Sequence, residues 1–419
     1  MLSVEEALER ILGFFEVLEP EEKPILDAVG QVLAEDVSGT FDVPPWDNSA
    51  MDGYAVQSSD ISEASVDSPV ELSVVGSVAA GHLPDKDVTT GTAVRIMTGA
   101  PTPEGADSVV PFEDTDESER KAGQGSLPKI GIRTPTAEGE NIRPAGQDIR
   151  RGESVLAGGT LLGPAAAGVL ASLGCTTVKV VRRPTVAIVA TGDELLEPGT
   201  APSVGKIFDT NSYSLSAAVA QAGGIPRKLG IARDDLDSLS AKLQEGLASD
   251  FLITSAGVSK GDYDMVKDVL SKHGEIDFWS VRMRPAKPLA FGTLKSQDGK
   301  HVPHLGLPGN PVSALVAFEQ FGRRAIHKQM GRSPAPRPTI EAVLEEPIHN
   351  MDNRRVYARA VVSRRNGTYY ARLTGHQSSN LLTSMARANG LAICPEDVPM
   401  KDAGEVVTVQ MLDWPENVF

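Results

Sequence analysis

TVAIVATG, residues 185–192, is an unbroken β-branched and small apolar run that ends in a glycine turn. Such a run reads as a strand buried on both faces, and its neighbours on either side set the fold class. SYSLSAAVAQAGG (212–224) follows as a helix, KLGIA as a strand and LDSLSAKLQEGLAS as a helix. DFLITSAGVSKGD (250–262) reads as a strand entering a Gly/Ser loop, YDMVKDVLSKHG as a helix and FWSVRMRP as a strand. HLGLPGNPVSALVAFEQFGRRAI (304–326) reads as strand, Pro/Gly turn and helix. Alternating strands and helices predict a parallel sheet with helices on both faces. Ligands of such sheets bind beyond the carboxyl ends of the strands, where TGDE, SAGVSKGD and LPGNPVS all fall.

Upstream, Val4, Leu8, Ile11, Leu12 and Phe15 recur at helical spacing, so residues 3–18 are predicted as an amphipathic helix, followed by a second helix-like stretch from 24 to 34. Residues 41–150 carry short alternating runs, VELSVVGSV (70–78) and TAVRIMTG (92–99), and read as β-rich, with a loose hairpin tip at 117–125. LLGPAAAGVLASLG returns to helix, stops at Gly174, and is expected to pack with the N-terminal helices as one discontinuous unit. Downstream, GRSPAPRP (331–338) is a proline linker, and the remaining short strands read as a small β-barrel or sandwich.

A chain of 419 residues calls for roughly three or four units of about 100–150 residues. No run of about 18 apolar residues is present, so no transmembrane segment is expected. The acids in the first twenty residues argue against a signal peptide. Two distant cysteines give no disulfide framework and fit a reducing, cytoplasmic setting. Seven scattered histidines without Cys/His spacing argue against structural zinc. A formal charge of −16 argues against nucleic acid as a partner. It serves solubility, or gathers in part around a divalent cation.

Five acids stand in turns or at predicted strand ends: Asp52 in MDGYA, Asp148 in RPAGQDIRRGE, Glu194 in TGDEL, Asp209 in FDTNSYS and Asp264 in SKGDYD. Hard cations such as Mg2+ take carboxylates of this kind together with water and phosphate. Each acid alone is more readily what a helix cap or turn supplies. A basic and polar set complements them. Arg282, Arg284 and Lys287 lie in VRMRPAKP, and Asn310, Pro311 and Ser313 at a helix start suited to oxyanions. Arg354, Arg355 and Arg359 precede Ser378 and Ser379. The loop PPWDNSAMDGYA (44–55) is stiff, acidic and aromatic at once, which suits a functional loop and equally a loop pinned to its own core by its aromatics with Asp47 and Asn48 as turn acceptors. Neither a Walker A sequence nor G-x-G-x-x-G is present.

Eight blocks occur in order: PPWDNSAMDGYA, IMTGAPTPEGADSVVPFED, RPAGQDIRRGE, TGDEL, FDTNS, SAGVSKGDYD, RPAKPLAFG and GLPGNPVSALVAFEQF. Together they resemble the molybdenum insertase family, bacterial MoeA and the E domain of gephyrin, over nearly the whole chain. The resemblance implies an α/β multidomain subunit. A discontinuous helical segment (1–40 plus 150–181) and a β-rich domain (41–149) would precede a molybdopterin-binding-like three-layer α/β domain (182–330) and a C-terminal β-barrel (331–419). It implies an elongated homodimer whose active site takes the β-rich domain from the other subunit. It implies a Mg2+-dependent transfer of molybdenum from molybdate into adenylylated molybdopterin, releasing AMP. By motif, Asp52, Thr98, Asp148, Glu194, Asp209 and Asp264 match the pterin, nucleotide and metal side, with Asp52, Glu194 and Asp264 as metal ligands, which leaves Trp46 and Met51 as anchors of the 44–55 loop. Arg284, Lys287, Pro288, Ser313, Arg359 and Ser379 match the molybdate side. Ser280 and Arg284 stand where many members carry lysine, and Arg282, two residues from Ser280 along a strand, would share its face. The gephyrin likeness also raises a scaffold function, a dimer that captures peptide segments of protein partners. Tungstate, nearly isosteric with molybdate, is a further candidate substrate.

Overall fold

A computed structural model describes residues 1–117, 119, 127–255, 274–296 and 298–414. The chain divides into two compact units, one of Met1–Lys23, Gly30–Ala34 and Lys179–Phe419, the other of Pro24–Val29 and Glu35–Val178.

The first unit opens with α1 (Val4–Leu12), started by a capping box: the Glu6 amide donates to Ser3 Oγ (3.0 Å) and the Ser3 amide to the Glu6 carboxylate (2.8 Å). α1 ends at Gly13, well before residue 18. Its apolar face, Val4, Ala7, Leu8 and Ile11, packs into the core of the α/β body.

In the second unit, β1 (Gly53–Val56), β2 (Val70–Val78), β3 (Thr92–Ile96), β4 (Ser108–Pro111) and β5 (Lys129–Ile132) form one sheet in the order β4-β1-β3-β2-β5. Its core gathers Tyr54, Ile61, Leu72, Val110, Ile130 and Ile132. α2 (Pro164–Ser172) starts with proline in its first turn and is followed by Gly174 at φ +70°. The helix expected over 24–34 does not form; residues 25–30 are turns. Gly30 at φ +83° caps a run too short to repay helix nucleation.

The α/β body is built on β6 (Thr185–Thr191), α3 (Asn211–Gln221), β7 (Ile225–Ala232), α4 (Leu236–Gly246), β8 (Phe251–Ser255), β9 (Gly274–Ser280), β10 (Pro288–Lys295) and β11 (His301–Leu307). The sheet order is β7-β6-β8-β11-β10-β9. β6 uses both faces: Val186 and Ile188 pack with Leu215 and Val219 of α3, while Ala187 and Val189 pack with Leu239 and Leu243 of α4. That alternation makes three layers. The sheet is mixed, not wholly parallel. β7, β6, β8 and β11 run parallel, but β10 pairs antiparallel with both β11 and β9. The connection 296–300, closed by the Gly299 amide on the Ser296 carbonyl (3.0 Å), is too short for a parallel crossover. The helix expected over YDMVKDVLSKHG lies outside the described residues, as does most of the hairpin tip at 117–125.

After β11, α5 (Pro311–Ala317) passes through a wider π turn into α6 (Arg323–Gln329). The C-terminal strands are β12 (Thr339–Leu344), β13 (Arg355–Arg365), β14 (Thr368–Leu373), β15 (Gly390–Cys394) and β16 (Val406–Met411). They close in the ring β13-β14-β12-β16-β15 and back to β13, a five-stranded barrel. Its core mixes five alanines, Ala342, Ala358, Ala360, Ala371 and Ala392, with larger side chains such as Leu344, Val362, Val409 and Met411.

Candidate active site

A cavity of about 980 Å³ opens in the first unit at the carboxyl ends of β6, β8 and β11. Five short segments line it: the TGDE turn, FDTN, RPAKP, LPGNPVS and QSSN, with Ser255 and Arg354 beside them. Glu194, Asp209, Arg284, Lys287, Pro288, Ser313 and Ser379 all face this one space.

The acidic part depends on a glycine. Gly192 holds φ +143°, and a Cβ there would lie 2.3 Å from Glu194 Oε2. Only glycine lets the Glu194 carboxylate fold back over the turn. Asp209 is 1% exposed. Its Oδ1 accepts from the Ser212 amide at the start of α3 (3.0 Å), so the helix-cap reading holds for that oxygen. Its Oδ2 is buried and has no hydrogen-bond partner among the described residues, and the same is true of Asn211 Oδ1 and Ser212 Oγ. Buried acceptors are normally satisfied, so Asp209 Oδ2 beside the cavity is open to a further partner. Asn211 also ties two strand ends together, its Nδ2 donating to Ser255 Oγ (2.6 Å) and to the Gly309 carbonyl (2.8 Å).

The basic part is carried by the loop after β9. Met283 and Arg284 run parallel to the start of β13, and the Lys287 carbonyl accepts from the Val281 amide (2.8 Å). Ala286 sits at φ +73°, a left-handed conformation that alanine adopts only under constraint. Arg354 reaches the same cavity, donating through Nη1 to the Met283 carbonyl (3.3 Å). Arg354, Arg355 and Arg359 read alike in the sequence, and the family resemblance assigns only Arg359 to the molybdate side. Arg359 does not line the cavity. It is 1% exposed and donates to Ser384 Oγ (3.1 Å) and the carbonyls of Gln377 (3.1 Å) and Ser378 (3.0 Å), so it braces the loop that presents Ser379. Burial pushes its pKa down to about 10, which leaves it charged at neutral pH. The Ser379 carbonyl accepts the Val312 amide (3.1 Å), locking that loop to the first turn of α5. Ser280 and Arg282 stay outside the lining; the Arg282 guanidinium turns to the Asn353 carbonyl (3.4 Å).

Asp193 and Asp234 stand next to each other at the ends of β6 and β7, the Asp193 amide donating to Asp234 Oδ2 (3.1 Å). Neither residue lines the cavity.

In the second unit, Asp52 Oδ1 accepts from the Thr98 amide (2.7 Å) and from Thr98 Oγ1 (2.8 Å). These bonds hold its carboxyl below the usual carboxylate range. Trp46 and Met51 are 52% and 40% exposed, so neither anchors the 44–55 loop. The anchors are buried Tyr54 and the bond from the Ala145 amide to Asp47 Oδ1 (2.7 Å). Asp148 is exposed, its amide bound to the Val43 carbonyl (2.9 Å). Asp264 lies outside the described residues. Among the described residues no three His, Cys, Asp or Glu side chains form a metal-holding cluster.

A three-layer α/β body whose carboxylates and cations converge beyond its strand ends is an arrangement suited to an anionic ligand held with a counter-charge. Three family models divide the chain: "MoeA N-terminal region (domain I and II)" over residues 2–174, "Probable molybdopterin binding domain" over 187–328 and "MoeA C-terminal region (domain IV)" over 341–412. Molybdopterin molybdenumtransferase 2 of Mycobacterium tuberculosis is 37% identical over 98% of this chain and 99% of its own. Molybdopterin molybdenumtransferase of Bacillus subtilis is 34% identical over 100% of this chain and 97% of its own. Two solved structures of the molybdopterin biosynthesis moeA protein from Pyrococcus superpose with TM-scores of 0.81 and 0.79, at 31% and 29% identity. They cover 99% and 98% of this chain and 100% of their own. The chain belongs to the MoeA family.

Proposed function

We propose that this protein inserts molybdenum from molybdate into adenylylated molybdopterin, with release of AMP, in molybdenum cofactor biosynthesis. The observation that carries the reading is the single cavity into which Arg284, Lys287, Ser313 and Ser379 converge with Glu194 and Asp209. Two anions must be brought side by side against their repulsion, which asks for fixed cations at the oxyanion and a counter-charge at the phosphates. Arg284, Lys287 and Arg354 supply the first, with hydroxyls of Ser313 and Ser379 as neutral donors.

Mg2+ is the proposed counter-ion, and the residues fit it. The buried, unpartnered Asp209 Oδ2 and the nearby Glu194 carboxylate are hard oxygen donors of the kind that bind Mg2+ together with phosphate. When bound, the ion neutralises phosphate charge during release of AMP. Asp52, held ionised by Thr98, and Asp148 are proposed to reach the site from the partner subunit of a homodimer, and Asp264 to join the metal side. The reading places the enzyme in the cytoplasm, consistent with free Cys175 and Cys394 and with no described helix long and apolar enough to cross a membrane.

The test supplies purified protein with adenylylated molybdopterin, molybdate and Mg2+ and follows molybdenum-bearing pterin. Wild type is expected to form it and Asp52→Ala to lose it. A folded wild type that forms none contradicts the function, and Asp52→Ala at the wild-type rate removes Asp52 from the machinery.

A further inference from the structure

The turn between strand Ile348–His349 and β13 carries an acid beside the basic part of the cavity. Asp352 pairs through Oδ2 with Arg354 Nη2, the guanidinium that lines the cavity with Arg284 and Lys287. Hydrogen bonding to Arg354 holds the Asp352 carboxyl below the usual range, and the charges of Arg354, Arg284 and Lys287 add to the effect. The turn is built rather than loose. Asn350 is 3% exposed, donates Nδ2 to the Pro395 carbonyl (2.9 Å) and accepts the Arg354 amide on Oδ1 (3.4 Å). Asn353 takes φ +55° and its carbonyl accepts from Arg282 (3.4 Å). Asp352 is thereby delivered to Arg354 from one fixed side, with its side chain 36% exposed and replaceable by another anion without moving the core.

We propose that Asp352 is a tethered competitor anion: it occupies the Arg354 guanidinium in the empty site, and an entering tetrahedral oxyanion must take that guanidinium from it. The site then binds oxyanions more weakly than three free cations would. Only an anion that also engages Arg284, Lys287 and the serine hydroxyls gains enough to enter. The proposal rests on the molybdate site assigned above.

The test measures binding of molybdate and of sulfate to the full chain, and molybdate half-saturation of insertion, for wild type, Asp352→Asn and Asp352→Glu. One unit charge near 4 Å in a watery site corresponds to roughly a fivefold change in binding. Asp352→Asn is therefore expected to tighten both anions roughly 3- to 10-fold and to lower half-saturation by the same factor. Asp352→Glu, which keeps the charge, is expected to stay within about twofold of wild type. A purely structural role for Asp352 would weaken binding in the asparagine variant. Unchanged or weaker molybdate binding by Asp352→Asn overturns the proposal. Wild type that binds both anions with the expected Asp352 dependence but inserts no molybdenum refutes the insertase function alone. Wild type that binds neither anion overturns both.

Discussion

Lys287→Ala is the substitution whose outcome is best defined by the structure. Only the backbone carbonyl of Lys287 is used structurally, accepting the Val281 amide at 2.8 Å, and alanine keeps that bond. The ammonium faces the cavity beside Arg284 and Arg354. A hydrogen bond to a charged group contributes about 1.5–3 kcal/mol, so its loss corresponds to roughly 10- to 150-fold in molybdate affinity. Solvent in the open cavity and the two remaining guanidinium groups hold the effect toward the lower end. Insertion rates across a molybdate series give the half-saturation point, and thermal melting confirms the fold. The expected result is a rise of at least tenfold with an unchanged melt. Lys287→Arg restores charge but spreads it over a planar fork, so a partial return is expected. A shift under threefold in Lys287→Ala refutes the oxyanion role.

Three other outcomes follow from particular contacts. Gly192→Ala places a methyl 2.3 Å from Glu194 Oε2 at a φ that alanine avoids. It is expected to displace that carboxylate, cost about 1–3 kcal/mol in urea unfolding and slow insertion more than tenfold; wild-type turnover contradicts the role of this turn. Arg359→Met strands the Gln377 and Ser378 carbonyls, for an expected loss of about 2–3 kcal/mol with raised molybdate half-saturation; a stable variant with normal half-saturation contradicts the bracing role. Acid stability follows two groups. Burial lowers the His304 pKa to about 3, so its contribution is complete above about pH 6.5 and is lost as pH falls. Burial raises the Asp250 pKa, but bonds from Arg182 and Thr185 outweigh it and hold the carboxyl well below the usual range, so that contribution is lost below about pH 4. The urea midpoint is expected to decline from pH 6.5 and more steeply below pH 4; a flat midpoint from pH 7 to 4 contradicts the His304 assignment, and a decline that does not steepen below pH 4 contradicts the Asp250 one.

The sheet was legible because β6, β8 and β11 are apolar runs ending in Gly or Pro turns, and such runs have few alternatives to a buried strand. β10 was not: the sequence reading places no strand over 288–295, and its antiparallel direction depends on the length of the connection to β11 rather than on residue type. The stretch 24–34 imitates a helix in its apolar spacing, yet Pro24 and Gly30 bound too few residues to hold one. The barrel hid the difference between Arg354 and Arg359. Three arginines within six residues read alike, and only closure of β13 against β15 decides that Arg359 points into packed loop carbonyls while Arg354 reaches solvent-filled space. Trp46 and Met51 misled for a related reason: large apolar side chains suggest anchoring, but Tyr54 on β1 already takes the core position. Asp352 gave no signal at all, since its meaning comes from Arg354 and the RPAKP loop.

The most direct measurement is the ratio of AMP released to molybdenum bound by pterin, in one reaction with adenylylated molybdopterin and Mg2+, with and without molybdate. Coupled insertion predicts that the two appear together, one for one, and that leaving out molybdate suppresses both. AMP released at full rate without molybdate, or molybdenum bound with no AMP released, contradicts the account.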